Sequence, residues 1–341
     1  MERRITLKKI LFDDIGSFPP PDGMRKEKIE RLIEKKRPEA VKILEEAMQI
    51  KIDAGVEIVN YPQFRSMIDQ FLKPMTDSKR CEAPFLIKEE EARIEELELL
   101  EPFAKEYMEK NGERLRLRVC VTGPCELYHS RFGDRVYEDL LDNIASSVDR
   151  FIKHAAEFSP YFDLRAVSLD EPSLGIVPFD ERMLKALEMA GAYASSSGID
   201  LQIHLHTPIL YDTICRVKNI GIIGVESAAN PGYLNLIDPE VLRRYGKLLR
   251  VGVARTDLFR MGAEFNEAHG TDVFKNEEDL ERLVDEMISP EVVLSNLKHA
   301  YGIFGDLIRY VGPDCGLGSW KSQRAAGKLL RNVKMGIEAF L

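Results

Sequence analysis

Histidine is scarce in this 341-residue chain, yet two of its six histidines, His204 and His206, stand two apart in one short apolar run. On a strand, residues i and i+2 point to one face, so the two imidazoles project together. Glu226 ends the next apolar run, and Cys315 follows the last one, inside Asp314-Cys315-Gly316. Imidazole nitrogen, carboxylate oxygen and thiolate sulfur in a tetrahedral arrangement suit zinc. Such an ion can take up an incoming thiol and lower its pKa, making a nucleophile at neutral pH. It can equally activate water for hydrolysis. Spacing leaves both uses open.

These residues need a scaffold that brings 204, 226 and 315 together. Short apolar or β-branched runs recur at 9–13, 56–60, 115–122, 165–170, 200–205, 222–226, 249–254 and 307–311. Helix-period stretches lie between them, such as 136–158 and 181–196, where Leu184, Leu187, Ala190 and Ala194 form one stripe. Eight strands alternating with helices predict an α/β fold, a (βα)8 TIM barrel, as a single catalytic domain over 1–341. Two intervals exceed one helix. The segment 61–114 contains the acidic run Lys88-Glu89-Glu90-Glu91-Ala92-Arg93, read as a solvated helix with i,i+4 pairs. The segment 255–306 holds a Gly- and Asn-containing stretch and a charged helix at 276–288. Long βα excursions belong to the C-terminal face, where this one is expected to act as a lid, a docking surface or a plain insertion.

The same face should collect the chemistry, and polar residues do stand at nearly every strand end. They include Asp13 to Ser17, Asn60 to Arg65, Thr122-Gly123-Pro124, Asp170-Glu171-Pro172, Ser227, Arg255-Thr256-Asp257 and Asp314. Arg255 is a candidate contact for an anionic substrate group. Gly316 and Gly318 read as tight turning beside Cys315, since the full phosphate-binding fingerprint is missing. His154 and His299 read as ordinary helix residues, and His269 reaches a site only if the 255–306 excursion closes as a lid.

Composition narrows the partners. Forty-eight basic and fifty-seven acidic residues give a net charge of −9, which argues against a nucleic-acid or anionic-membrane surface. No apolar run approaches a membrane span, and Met1-Glu2-Arg3-Arg4 lacks a signal-peptide core. Five scattered cysteines, Cys81, Cys120, Cys125, Cys215 and Cys315, make no disulfide framework. A cytoplasmic protein is expected.

Ordered along the chain, Ile15-Gly16-Ser17-Phe18-Pro19, Thr122-Gly123-Pro124, Asp170-Glu171-Pro172, Gln202-Ile203-His204, Val225-Glu226-Ser227 and Pro313-Asp314-Cys315-Gly316-Leu317 resemble one family. It is the cobalamin-independent methionine synthases, and more closely their short "core" relatives in archaea and bacteria, which match the catalytic C-terminal domain alone. The resemblance implies a zinc-containing barrel that transfers a methyl group to the sulfur of homocysteine, giving methionine. Zinc would be held by His204, Glu226 and Cys315, with His206 in the place of a family cysteine. Ile15, Gly16 and Ser17 would meet the carboxylate of homocysteine. Asp170 would meet its ammonium group, with Glu171 beside it and Gln63 standing where the long enzymes have a glutamate.

The chain departs from the family at several points. His204-Leu205-His206 replaces the usual His-x-Cys; shifting the register by two would put Pro208, which cannot ligate, at the cysteine. The unshifted register also places Asp212 where the family has an acid. The histidine expected after the seventh strand is missing, and Asp257 lies nearest as a catalytic group. The long enzymes' folate-stacking tryptophan is absent, the only tryptophan being Trp320. Methylcobalamin or a methylated corrinoid protein is therefore the expected donor, with a corrinoid protein as partner. Methyl transfer to another thiol such as coenzyme M is the alternative acceptor. A decarboxylase or hydrolase on a related barrel is the alternative reaction, with Asp170 and Glu226 acting on substrate directly.

Overall fold

A computed structural model describes residues 10–135 and 137–341; the N-terminal tetrapeptide and the first residue of the expected 9–13 strand lie outside them. Eight parallel strands appear: β1 (Leu11–Phe12), β2 (Val59–Asn60), β3 (Leu115–Thr122), β4 (Phe162–Asp170), β5 (Asp200–Leu205), β6 (Ile222–Val225), β7 (Leu248–Ala254) and β8 (Ile308–Pro313). Each of β2 to β8 pairs with its chain neighbour, and β1 pairs with β8. The remaining gap, between β1 and β2, is closed by parallel bridges Asp13↔Ile58 and Ser17↔Gln63. Across it the amides of Glu57 and Ile58 donate to Phe12 O at 3.0 and 3.1 Å. The sheet is thus a closed (βα)8 TIM-type barrel.

Two periodicities build it. Odd-numbered residues of the central strands, such as Val119, Val121, Leu169, Ile203, Val251 and Val253, are wholly buried against the helical ring. Burying each such side chain contributes roughly 1.5–3 kcal/mol. Even-numbered residues of the same strands fill the barrel in layers taken from alternate strands. Ile58, just before β2, with Ala166, Ile222 and Tyr310 from β4, β6 and β8, forms an apolar floor. The layer above takes one residue from each odd strand or its end, and all four are polar: Asp13, Arg118, Gln202 and Arg250. Arg118 Nη1 bonds Asp13 Oδ2 and, at 2.6 Å, Gln202 Oε1, while Arg250 Nε meets Asp13 Oδ1 at 2.9 Å. Gly312 leaves the space for it, since a Cβ there would lie 2.7 Å from Arg250 Nη2. A second buried pair, Lys51–Asp14 at 2.7 Å, ties the helix Pro38–Asp53 to the β1–β2 seam.

The helices differ from expectation in two places. The stretch 181–196 breaks at Gly191 into Glu181–Ala190 and Ala192–Ser196. Leu201 of β5 packs so close that a Cβ on Gly191 would lie 2.1 Å from its Cδ2. All four stripe residues, Leu184, Leu187, Ala190 and Ala194, are still buried. The run 88–93 is not a helix with i,i+4 pairs. Glu89–Glu91 form one 3₁₀ turn after an antiparallel hairpin, Cys81–Ala83 with Leu86–Ile87, and their partners are distant. Lys153 meets Glu89 at 2.8 Å and Arg80 meets Glu91 at 3.0 Å.

The 255–306 excursion comprises three helices, Leu258–His269, Glu277–Met287 and Pro290–Phe304. Gly270, at φ +64°, ends the first in the left-handed conformation. His269 turns to Glu286 at 2.7 Å within this segment. All five cysteines are free. Among the described residues no helix is long and apolar enough to cross a membrane.

Candidate metal centre

The inward face of β5 carries His204 and continues past the strand end to His206, their ring centroids 5.3 Å apart. Glu226 follows β6 directly, and Cys315 lies two residues past β8. One ligand atom from each of the four lies within 4.8 Å of all the others. His204 Nε2 and His206 Nε2 approach the same oxygen, Glu226 Oε1, at 3.2 and 3.5 Å. A tetrahedral zinc with bonds of about 2.0–2.3 Å spaces its ligands roughly 3.3–3.8 Å apart.

His204 Nε2 and Glu226 Oε1, 3.2 Å apart, are both buried, and neither makes a well-directed hydrogen bond. Buried polar atoms without a hydrogen bond are costly, and a cation held between them would satisfy both. Burial works against ionising Glu226, but the adjacent histidines outweigh it and lower its pKa. Burial, reinforced by Glu226, pushes the Cys315 thiol well above its usual value. The donor set thus fits a borderline-soft divalent metal.

The loops that hold these ligands are braced by Asp314. Its buried carboxylate accepts from the amides of Ala228 at 2.9 Å and Ala229 at 2.7 Å, locking the segment after Glu226 to the one bearing Cys315. Ser227 Oγ donates to Gly252 O at 2.8 Å. A Cβ on Gly252 would lie 1.9 Å from Asp314 Oδ1. Gly252→Ala is therefore expected to destabilise the fold by about 1–3 kcal/mol and to weaken metal binding by separating Glu226 from Cys315. Thermal melts with and without zinc check this; an unchanged zinc-induced shift would show that the brace is dispensable.

His204, His206 and Cys315 line one wall of a cleft of about 450 Å³, and Ile15, Gly16, Ser17, Gln63 and Asp170 line it too. Gly16, at φ +52°, turns the chain so that its carbonyl accepts from Asn60 Nδ2 at 3.0 Å. Ser17 Oγ accepts from Gly318 N at 3.1 Å, and Ser17 O accepts from Leu317 N at 2.7 Å, joining the first and last strand-end loops. Gln63 spends its amide nitrogen on Tyr61 OH and Cys120 O at 2.8 and 3.0 Å, leaving its oxygen as the acceptor. Asp170 takes one bond, from Ser168 Oγ at 2.8 Å.

Four residues fall elsewhere. Glu171 was expected at the substrate but lies fully buried beneath the helix Pro124–Phe132, accepting from the amides of Cys125 and Glu126 at 2.9 and 2.7 Å. Burial pushes its pKa up to about 8 against those two bonds. It caps a helix, for which the following turn Gly123-Pro124 supplies the start. Asp257 is gripped by Arg255 at 2.9 Å and is not among the residues lining the cleft. Arg255 is spent on Asp257 and Glu264, so it has no fork left for an anion. Trp320 is core, with Nε1 donating to Thr256 O at 3.3 Å. Arg65, from the second strand end, also lines the cleft, and Lys26 and Met67 line it without having been singled out by sequence; they stand in a helix and a loop beyond the strand ends.

No family model and no curated protein matches the chain. Among solved structures it is similar to a B12-independent methionine synthase from Shewanella sp. W3-18-1 in complex with selenomethionine. The TM-score is 0.63 at 15% identity, over 97% of each chain. The likeness is one of fold. A homocysteine methyltransferase, MmuM from Escherichia coli, aligns over 96% of this chain and 97% of its own, with a TM-score of 0.48 and 10% identity.

Proposed function

We propose that the chain is a zinc-dependent thiol methyltransferase that moves a methyl group from methylcobalamin, or a methylated corrinoid protein, to homocysteine. The observation that carries this reading is the convergence of His204, His206, Glu226 and Cys315, three of which line a cleft that also offers amino-acid-binding groups. Bound zinc would lower the pKa of a coordinating thiol so that the sulfur is a nucleophile at neutral pH. Asp170 and the free oxygen of Gln63 would hold the substrate ammonium, and the Ile15–Ser17 turn its carboxylate. Fixing both ends of the amino acid orients the sulfur and removes rotational freedom before reaction. The Shewanella enzyme of like fold, described in complex with selenomethionine, supports an amino acid of this size in the cleft.

The donor assignment departs from that B12-independent enzyme. Asp257 is tied into an ion pair and Trp320 into the core, so neither an acid for a poor leaving group nor a stacking platform for folate comes from them. A cobalt–carbon bond needs neither: its electron pair stays on cobalt as the sulfur lone pair forms the new bond to carbon. Zinc-replete protein should therefore consume methylcobalamin and form methionine from homocysteine, and chelated protein should not. Equal turnover after chelation would defeat the zinc reading, and comparable turnover of methyltetrahydrofolate would defeat the donor assignment.

A further inference from the structure

Two cationic side chains line the cleft besides the histidines, Lys26 and Arg65. Arg65 is occupied: it forks onto Glu96 at 2.7 and 2.6 Å and reaches Glu95 at 3.4 Å. Lys26 forms no ion pair or hydrogen bond among the described residues, although Glu27 and Glu30 line the same cleft. Its ammonium leans instead toward the seam between the first and last strand-end loops. A Cβ on Gly318 would lie 3.0 Å from Lys26 Nζ and 2.5 Å from Ser17 Oγ. Glycine at 318 thus keeps open a spot on which an ammonium and a hydroxyl converge. Ser17 Oγ accepts from Gly318 N there, so its own proton is free for an incoming oxygen.

We infer that Lys26, together with Ser17, anchors the anionic end of the thiol substrate and makes the cleft selective for thiols that carry a carboxylate or sulfonate. The inference rests on the thiol reading above and adds a residue to it, on the helix Lys26–Glu34, outside any strand end. The geometry divides the labour within the cleft. Sulfur belongs at the metal ligands, ammonium at Asp170 and Gln63, and the anion at Lys26 and Ser17. A charge-assisted bond of this kind is worth about 10- to 100-fold in affinity.

The test is calorimetric titration of zinc-loaded wild type, Lys26→Met and Lys26→Arg with three thiols. They are homocysteine, 3-aminopropane-1-thiol (the same thiol and amine without the carboxylate) and 2-mercaptoethanesulfonate. Lys26→Met should weaken homocysteine about 10- to 100-fold, leave 3-aminopropane-1-thiol within twofold, and be largely rescued in Lys26→Arg. A matching loss for 2-mercaptoethanesulfonate would make the anion site indifferent to carboxylate or sulfonate, and wild-type preference decides between them. Equal losses for all three thiols, no loss for homocysteine, or wild type that binds none of them would overturn the assignment. Binding needs no methyl donor, so a protein that binds homocysteine through Lys26 and transfers nothing defeats the transfer reading alone.

Discussion

Cys315→Ala protein is expected to fold and yet to lose zinc on dialysis. One donor atom from each of the four residues lies within 4.8 Å of the others, and Cys315 is the single sulfur among them. Disturbing merely an outer partner of a zinc ligand costs about 10–100-fold in affinity, so removing a ligand outright should exceed 100-fold. Three readouts follow together. Zinc content should fall from about one per chain towards none, methionine formation should fall at least 100-fold, and stabilisation by added zinc should vanish. Wild type should gain about 2.7 kcal/mol at a hundredfold excess over Kd. His206→Ala should be milder, because its side chain is 44% exposed against 4% for His204 and it has less buried polarity to leave orphaned. Cys215→Ala is the control, a buried cysteine of the helical ring that should retain zinc. If Cys315→Ala keeps its zinc through dialysis, the metal centre as described is wrong.

Asp13→Ala should produce the largest loss of stability, with no involvement of the metal. Asp13 is the one anion in a layer that holds two guanidinium groups away from water, and it bonds both. Removing it leaves two like charges buried without a counterion, a change that costs about 3–5 kcal/mol or more. Against a total of about 5–15 kcal/mol for a folded domain, that brings the protein close to unfolding at ordinary temperature. Replacing the whole layer should behave differently. Asp13→Leu, Arg118→Met, Gln202→Leu and Arg250→Met made together remove charges and partners at once, and should recover most of the loss. Urea denaturation of the single and the combined variants separates these outcomes. A single variant as stable as wild type would mean that the guanidinium groups have other compensation.

The scaffold was legible where local pattern and tertiary environment agree. β3 and β5 begin and end where the apolar and β-branched runs of the sequence place them, because their outward faces meet helices and their inward faces line the barrel. The convergence of 204, 206, 226 and 315 followed from strand ends, since a closed barrel turns the ends of all its strands to one mouth. Features set by a distant neighbour stayed hidden. Gly191 breaks its helix because of Leu201, and Glu171 caps a helix begun at Pro124 rather than facing a substrate. Asp13 looked like a rim residue, yet its partners lie 105 and 237 positions away, inside the barrel. Lys26 carries no periodic signal, and only its position over Gly318 sets it apart.

That last contact, Ser17 and Lys26 against Gly318, also has a meaning in time. A chain leaving the ribosome completes His204, His206 and Glu226 well before Cys315 emerges, and the β1–β8 seam cannot form until residues past 313 are free. The donor set is therefore complete only once Cys315 has been made, and the seam beside it is the last to be assembled. On the proposed zinc reading, metal uptake would follow closure of the barrel rather than accompany the growing chain.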